Sequence, residues 1–166
     1  MTNAFLYRMP AGIAGDVSRK GQATIEPQIQ DSTTPVEYYG VPVKLESGKI
    51  KPIENGDLAS DVYGFSVRPY PTQSDVNEAL AAGTPPVNQP IDIMRRGYMT
   101  VKVQNGTPAK NGQVYVRVAN EDTSLGLLYG GLECAAGSPA DCVAITGAYF
   151  MGTGDDDGNV EISYNL

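Results

Sequence analysis

The sequence contains no histidine and no tryptophan, and it has only two cysteines, Cys134 and Cys142. Without histidine the chain cannot build a Ser-His-Asp triad, a Cys-His nucleophile pair or a zinc site with imidazole ligands. Two cysteines also cannot supply a four-thiolate metal site. These gaps exclude most familiar hydrolase and metalloenzyme designs, so we expect no enzymatic activity, no cofactor and no metal.

Basic residues and long apolar runs are also scarce. The chain has 12 Lys and Arg against 19 Asp and Glu, a formal net charge of −7. A protein that coats nucleic acid needs a basic face to displace counterions from phosphates, so nucleic acid is not an expected partner. No apolar run approaches the roughly 18 residues of a membrane span, and residues 1–10 do not resemble a secretory signal. We therefore expect no membrane partner and synthesis in a cytosol.

Two small clusters leave alternatives open. Cys134 and Cys142 flank a short loop; free thiols are favoured, and a disulfide is the alternative in an oxidising medium. The acidic run Asp155-Asp156-Asp157 has oxygen ligands beside a glycine, as calcium loops do, but it lacks the terminal acid and flanking helices of an EF-hand. A solvated hairpin tip is the favoured interpretation of this run.

Glycine and proline are abundant, with 19 and 12 of the 166 residues, which disfavours long helices. The remaining pattern is one of short alternating segments, of which Tyr98–Gln104 and Gln113–Asn120 are the clearest. Two hairpins are predicted, one over residues 41–53 and a closing one over residues 143–164. With eight or nine strands and one minimal helix at 74–82, the fold class predicted is all-β, a compact β-barrel or β-sandwich.

The first 22 residues follow neither strand nor helix periodicity. We predict an extended N-terminal arm over residues 1–22, followed by a single β-rich domain over residues 23–166. The arm has too much apolar surface for a solvated tail, so it is expected to lie either on a neighbouring subunit or on its own domain. Its apolar side chains are Phe5, Leu6, Tyr7, Met9, Ile13 and Val17.

Two short motifs join an arginine to a tyrosine at the end of a strand: Arg68-Pro69-Tyr70-Pro71 and Arg95-Arg96-Gly97-Tyr98. Arginine and tyrosine are enriched at interface centres because they give large contact area and hydrogen bonding for few rotamers. The alternative is a tyrosine packed on the barrel rim under a stacked arginine. The predicted interface residues are Phe5, Leu6, Tyr7, Met9, Ile13, Arg68, Tyr70, Arg96 and Tyr98.

Four segments within the first hundred residues carry a resemblance to a known family: PAGIAGDVSRKGQATIEPQ (10–28), YGVPVKL (39–45), GKIKPI (48–53) and DVYGFSVRPYPTQ (61–73). They resemble the capsid decoration, or cement, proteins of tailed bacteriophages. The resemblance implies a virion protein on the outer surface of the head that binds the major capsid protein, commonly as a homotrimer, and clamps neighbouring subunits.

A second function from a different class stays open at this point. The same β-rich sequence is compatible with a β-sandwich binding module of a phage head fibre or adhesin that contacts host glycans. Copy number distinguishes the two, because a decoration protein is present in hundreds of copies per particle and a fibre in few.

Overall fold

The protein is almost entirely β-structure. The computed structural model describes residues 12–69, 83–87, 89–137 and 140–165. Strands account for 46% of it and helix for 4%, the latter as two three-residue 3-10 helices, Lys20–Gln22 and Ala59–Asp61. The all-β prediction is confirmed, whereas the predicted helix over residues 74–82 lies outside the described residues. The strands are β1 (Thr24–Ile29), β2 (Pro42–Glu46), β3 (Lys49–Pro52), β4 (Val62–Ser66), β5 (Pro90–Asn105), β6 (Gln113–Arg117), β7 (Leu132–Glu133), β8 (Cys142–Phe150) and β9 (Asn159–Asn165).

Five strands close into a barrel. They follow the order β5-β7-β6-β8-β9, and β9 returns to pair with β5. The closing β5–β9 ladder is antiparallel and extends from the pair Arg96–Asn165 to the pair Lys102–Asn159. The β5–β7 pair is the parallel one in this ring. Of the two predicted architectures, the barrel is therefore the one that forms.

The alternation of apolar and polar residues explains the barrel interior. Because successive side chains of a strand point to opposite faces, every second residue of β5, β6 and β9 enters the core. At one end of the core, Phe65 and Tyr164 meet edge to face with ring centroids 5.0 Å apart, a favourable aromatic geometry. The inward residues of these three strands are Met99, Val101, Val103, Val114, Val116, Val160, Ile162 and Tyr164.

Strand β5 belongs both to the barrel and to the strands outside it. The sequence predicted separate strands at residues 91–95 and 98–104, but the structure has one strand of 16 residues, Pro90–Asn105. Gly97 lies between the two predicted segments with φ +139°, a conformation that residues with a side chain rarely adopt. The first half of β5 pairs with β1 and β4, and the second half belongs to the barrel.

The strands outside the barrel enclose a smaller core. The predicted hairpin over residues 41–53 is confirmed as β2–β3, with Ser47 and Gly48 both at positive φ in its two-residue turn. Beyond β1, Gln30 forms a parallel bridge to Ile50 of β3. Because β3 is the terminal strand of the sheet, this bridge connects the edge of the sheet to the residue that follows β1. The buried side chains of the smaller core are Val36, Val43, Ile50, Ile91 and Ile93.

The described part of the predicted arm lies along β5. The N–H of Gly15 donates to the carbonyl of Thr100 at 2.8 Å, and the N–H of Ser18 donates to the carbonyl of Tyr98 at 3.1 Å. Val17 forms an antiparallel bridge with Met99 and packs against the barrel core. Residues 12–18 thus contact their own domain. Neither helix in the described part of the chain is long and apolar enough to cross a membrane.

Candidate interface surfaces

Four of the nine predicted interface residues line two surface depressions, one near each end of the stretch 12–24. Ile13 and Arg68 line the first, which we call the apolar groove. Arg96 and Tyr98 line the second, which we call the Arg96 trough. The other predicted interface residues lie outside the described part of the chain: Phe5, Leu6, Tyr7, Met9 and Tyr70.

The apolar groove has a volume of about 750 Å³; its walls are mainly aromatic and aliphatic, and Lys102, Asp155 and Asp157 also line it. One wall is fixed by Arg68, whose Nε donates to the carbonyl of Ala14 at 3.3 Å and whose guanidinium lies 5.0 Å from the ring centre of Tyr39. Burial raises the pKa of Tyr39, and the charge of Arg68 opposes that shift. Its neighbour Tyr38 remains 54% exposed. Arg68 therefore anchors the wall, and Tyr38 is available for contact.

Gly15 permits this close packing. It has φ +91°, and a side chain at this position would collide with Tyr39 and Arg68. The N–H of Arg68 donates to the carbonyl of Gly15 at 2.9 Å. The guanidinium of Arg68 stacks on Tyr39, while the tyrosine of the predicted motif, Tyr70, lies outside the described residues.

The opposite wall of the groove is supplied by Leu128 and Tyr129. The side chain of Gln104 holds Leu128 from both sides, accepting from its N–H at 3.0 Å and donating to its carbonyl at 3.2 Å. The N–H of Tyr129 donates to the carboxylate of Glu121 at 3.2 Å. Tyr38, Leu128 and Tyr129 were not among the residues predicted from the sequence. The apolar run between glycines at residues 126–131 (GLLYGG) could have indicated Leu128 and Tyr129 as candidate contact residues.

The Arg96 trough lies on the outer face of the barrel, with a volume of about 780 Å³. Tyr98 of β5 lies opposite Ser163 of β9, which lies opposite Tyr149 of β8. Residues opposite each other on neighbouring strands share a face, so the small serine separates two tyrosines that stand about 10 Å apart. Arg96 faces the same depression and is exposed.

The acidic residue beside the trough is already neutralised. Glu161 accepts from Arg19 Nε at 3.1 Å and Arg19 Nη2 at 2.8 Å, and Ser18 donates to the same carboxylate. Burial alone raises the pKa of Glu161, but these bonds outweigh it and leave the pKa below its ordinary value. The Arg19 guanidinium also lies 3.9 Å from the ring centre of Tyr98. Arg19 is thus occupied, whereas Arg96 makes no ion pair with any described residue.

The described residues offer contact surface and little reactive chemistry. Among them, no three His, Cys, Asp or Glu side chains form a group that could hold a metal ion. Cys134 and Cys142 are free thiols, as favoured from the sequence. Burial raises the pKa of Cys142 to about 12, which keeps it protonated and unreactive at neutral pH.

The fold and these surfaces describe a small β-barrel protein suited to association with other proteins. A family model described as XM1 gp53 minor capsid protein matches residues 1–164, and the chain belongs to this family. The fold is similar to a chain of a solved structure, "The capsid of Myoviridae Phage XM1", with a TM-score of 0.68 and 17% identity over 99% of this chain and 97% of that chain. The comparison with curated protein sequences found no match.

Family membership confirms the resemblance seen in the sequence at the level of a phage capsid protein. The protein has a structural role in a phage capsid and is a component of the virion. A structural capsid family is consistent with the expected lack of enzymatic activity.

Proposed function

We propose that this protein is a decoration, or cement, protein that binds the outer surface of the major capsid protein lattice and stabilises the head. In this proposal it is made in the host cytoplasm and self-associates, as a homotrimer. Membership in a minor capsid protein family supports a capsid partner. The formal charge of −7 supports the outer surface, because an acidic protein is repelled by packaged DNA.

The observation that carries the proposal is the apolar groove. It combines a guanidinium already fixed by backbone and ring contacts, Arg68, with the exposed aromatic ring of Tyr38. Rigid aromatic and arginine side chains around an apolar depression are the groups that supply most binding energy in protein interfaces. The groove is therefore suited to receive an apolar segment of a capsid subunit.

The N-terminal arm belongs to the same proposed interface. Gly12, the first described residue after the segment 1–11, lines the apolar groove. Eleven extended residues span up to about 36 Å, enough to reach a neighbouring subunit. We propose that the apolar residues of this segment contact the capsid or an adjacent copy, each contributing roughly 1.5–3 kcal/mol before ordering costs. These residues are Phe5, Leu6, Tyr7 and Met9.

The test is co-sedimentation of purified protein with expanded, decoration-free heads. A Tyr38→Ala, Arg68→Ala double variant is expected to lose at least about 2 kcal/mol of binding, roughly a thirtyfold weaker affinity. Leu58→Ala is the matched control, because Leu58 is 62% exposed and lies outside both depressions. Thermal unfolding of each variant separates lost binding from lost folding.

Two results contradict the proposal. Wild-type protein that does not sediment with heads, at concentrations where it is folded, rules out capsid decoration. Equal binding by the double variant and the Leu58→Ala control leaves decoration possible but removes the groove from the interface.

A further inference from the structure

We propose that the Arg96 trough receives the acidic β8–β9 turn, Asp155–Asp157, of a second copy of this chain. This inference rests on the self-association in the proposed function and identifies the surfaces that would meet. It is carried by charge complementarity between the guanidinium of Arg96 in the trough and the exposed carboxylates of Asp156 and Asp157 in the turn.

The trough is rich in hydrogen-bond donors, and Arg96 is the one charged residue among the described residues that line it. None of the residues lining it is Asp or Glu. The neighbouring carboxylate of Glu161 is satisfied by Arg19 and Ser18. The structure shows no side-chain hydrogen bond or ion pair, over the ranges it describes, for Arg96, Tyr149 or Ser163. A guanidinium flanked by free hydroxyls favours a carboxylate, with which Arg forms charge-assisted hydrogen bonds.

The β8–β9 turn presents carboxylates in a defined geometry. Asp155 is used internally, since its Oδ1 accepts from the N–H of Asp157 at 3.1 Å and from the N–H of Asn159 at 2.8 Å. These bonds fix the turn. Asp156 and Asp157 are exposed, and their carboxylates make no ion pair with the described residues.

One copy cannot satisfy both features by itself. Asn159 follows the turn and Asn165 lines the trough, and the two are six residues apart on β9, about 20 Å. That separation exceeds the reach of the side chains. The contact is therefore between the turn of one copy and the trough of another, and when it repeats head to tail it forms a closed ring if the rotation between copies closes. A ring of three copies is the homotrimer of the proposed function.

A charge-reversal experiment tests the pairing. Sedimentation equilibrium measures self-association of wild type, Arg96→Glu, Asp156→Arg, and the combination of both changes; Asp156 is used because Asp157 also lines the apolar groove. Each reversal alone is expected to raise the dissociation constant at least about tenfold, because like charges then face each other. The combined variant is expected to return to within about threefold of wild type. Raising the salt concentration is expected to weaken the wild-type contact.

Lys110→Glu is the matched control, since it makes the same charge change at an exposed lysine outside the trough. The pairing is overturned if Arg96→Glu and Lys110→Glu behave alike, if the combined variant stays dissociated, or if the wild type is a monomer throughout. Head co-sedimentation of the same proteins separates the two proposals. A wild-type monomer that still binds heads contradicts the contact between copies and agrees with capsid decoration. Self-association that the combined charge reversal restores, without head binding, supports the contact between copies and contradicts decoration.

Discussion

Arg117 and Glu133 form an ion pair inside the end of the barrel, with a distance of 2.6 Å from Nε to Oε1 and side-chain exposures of 5% and 3%. The pair joins β6 to β7. Glu133 also accepts from the amide nitrogens of Gln104 and Asn105, both at 3.1 Å. Because Gln104 in turn holds Leu128, this buried network supports one wall of the apolar groove.

Removing the charge of Glu133 is expected to destabilise the protein strongly. Glu133→Gln keeps the side-chain size but removes the near carboxylate of Arg117 and leaves that of Asp141, 3.5 Å from Nη1, as its remaining ion-pair partner among the described residues. Breaking a buried pair in this way typically costs about 3–5 kcal/mol. Urea unfolding at neutral pH measures the loss. Glu46→Gln is the matched control because its ion pair with Lys51 is exposed and is expected to contribute less than about 1 kcal/mol. Equal losses in the two variants contradict a structural role for the buried pair.

Acid is expected to destabilise the protein through the same carboxylates. Burial alone raises the pKa of Glu133, but hydrogen bonds from Arg117, Gln104 and Asn105 outweigh it and bring the pKa below its ordinary value of 4.5. The pKa of Glu161 is lowered as well, by Arg19 and Ser18. A carboxylate with a lowered pKa in the folded state stabilises the fold above its unfolded pKa and loses that contribution as the pH falls through its folded value.

The melting temperature should therefore fall steadily below about pH 4.5. Calorimetry of wild type and Glu133→Gln between neutral pH and pH about 3 checks this expectation. The variant cannot titrate at position 133, so its melting temperature should depend less on pH across that window. The same slope in both proteins means that other carboxylates dominate the acid response.

Gly147 is expected to tolerate no side chain. It has φ +73°, and a Cβ there would collide with the carbonyl oxygen of Asn165 on β9. Gly147→Ala therefore combines about 1–2 kcal/mol of backbone strain with a steric clash between β8 and β9. Gly152→Ala, where no atom lies within 4 Å of the new methyl group, is the control and should change stability by less than about 0.5 kcal/mol. Comparable melting temperatures for the two variants would show that β8 can shift to accommodate the methyl group.

Strands with regular alternation were predictable from the sequence, and strands whose partners decide their orientation were not. The valines of β5 and β6 alternate and face a common core, so local pattern and burial agree. The parallel strand β7 has two residues and sits in a glycine-rich stretch, too short for any periodicity. Its position depends on buried Glu133, whose partner Arg117 is 16 residues away.

In strand β1 the hydrophobicity pattern fails to predict which side chains face the protein interior. Its isoleucines face outward, with Ile25 40% and Ile29 57% exposed. Its polar residues face inward: Glu26 accepts from the hydroxyl of Tyr63 at 2.8 Å, and Gln28 donates to the same hydroxyl at 3.2 Å. A hydrophobicity pattern alone assigns the opposite faces. The two depressions were unpredictable for a related reason, since each combines residues from distant parts of the chain that meet only after the sheet closes.

The stretch 12–21 is expected to stabilise the domain without being required for folding. It forms three backbone hydrogen bonds with β5. The N–H groups of Gly15 and Ser18 donate to carbonyls of β5, and the carbonyl of Asp16 accepts from an N–H of β5. At about 1 kcal/mol each, partly offset by the chain freedom that they cost, these bonds predict a loss of at least about 1–3 kcal/mol in a variant that starts at Gln22. The lost packing of Val17 on the barrel core and the lost Arg19–Glu161 ion pair add to this loss. A variant that starts at Gly12 keeps all three bonds and should match the full chain in urea unfolding.

Comparing the two truncations separates stability from capsid binding. If residues 1–11 form the proposed clamp, the variant starting at Gly12 unfolds like the full chain yet sediments with decoration-free heads much more weakly. Full head occupancy by that variant removes the clamp from the proposed interface. Failure of the variant starting at Gln22 to fold contradicts a domain boundary at Ala23, because the stretch beside β5, including the Val17–Met99 bridge, would then be an obligatory part of the barrel.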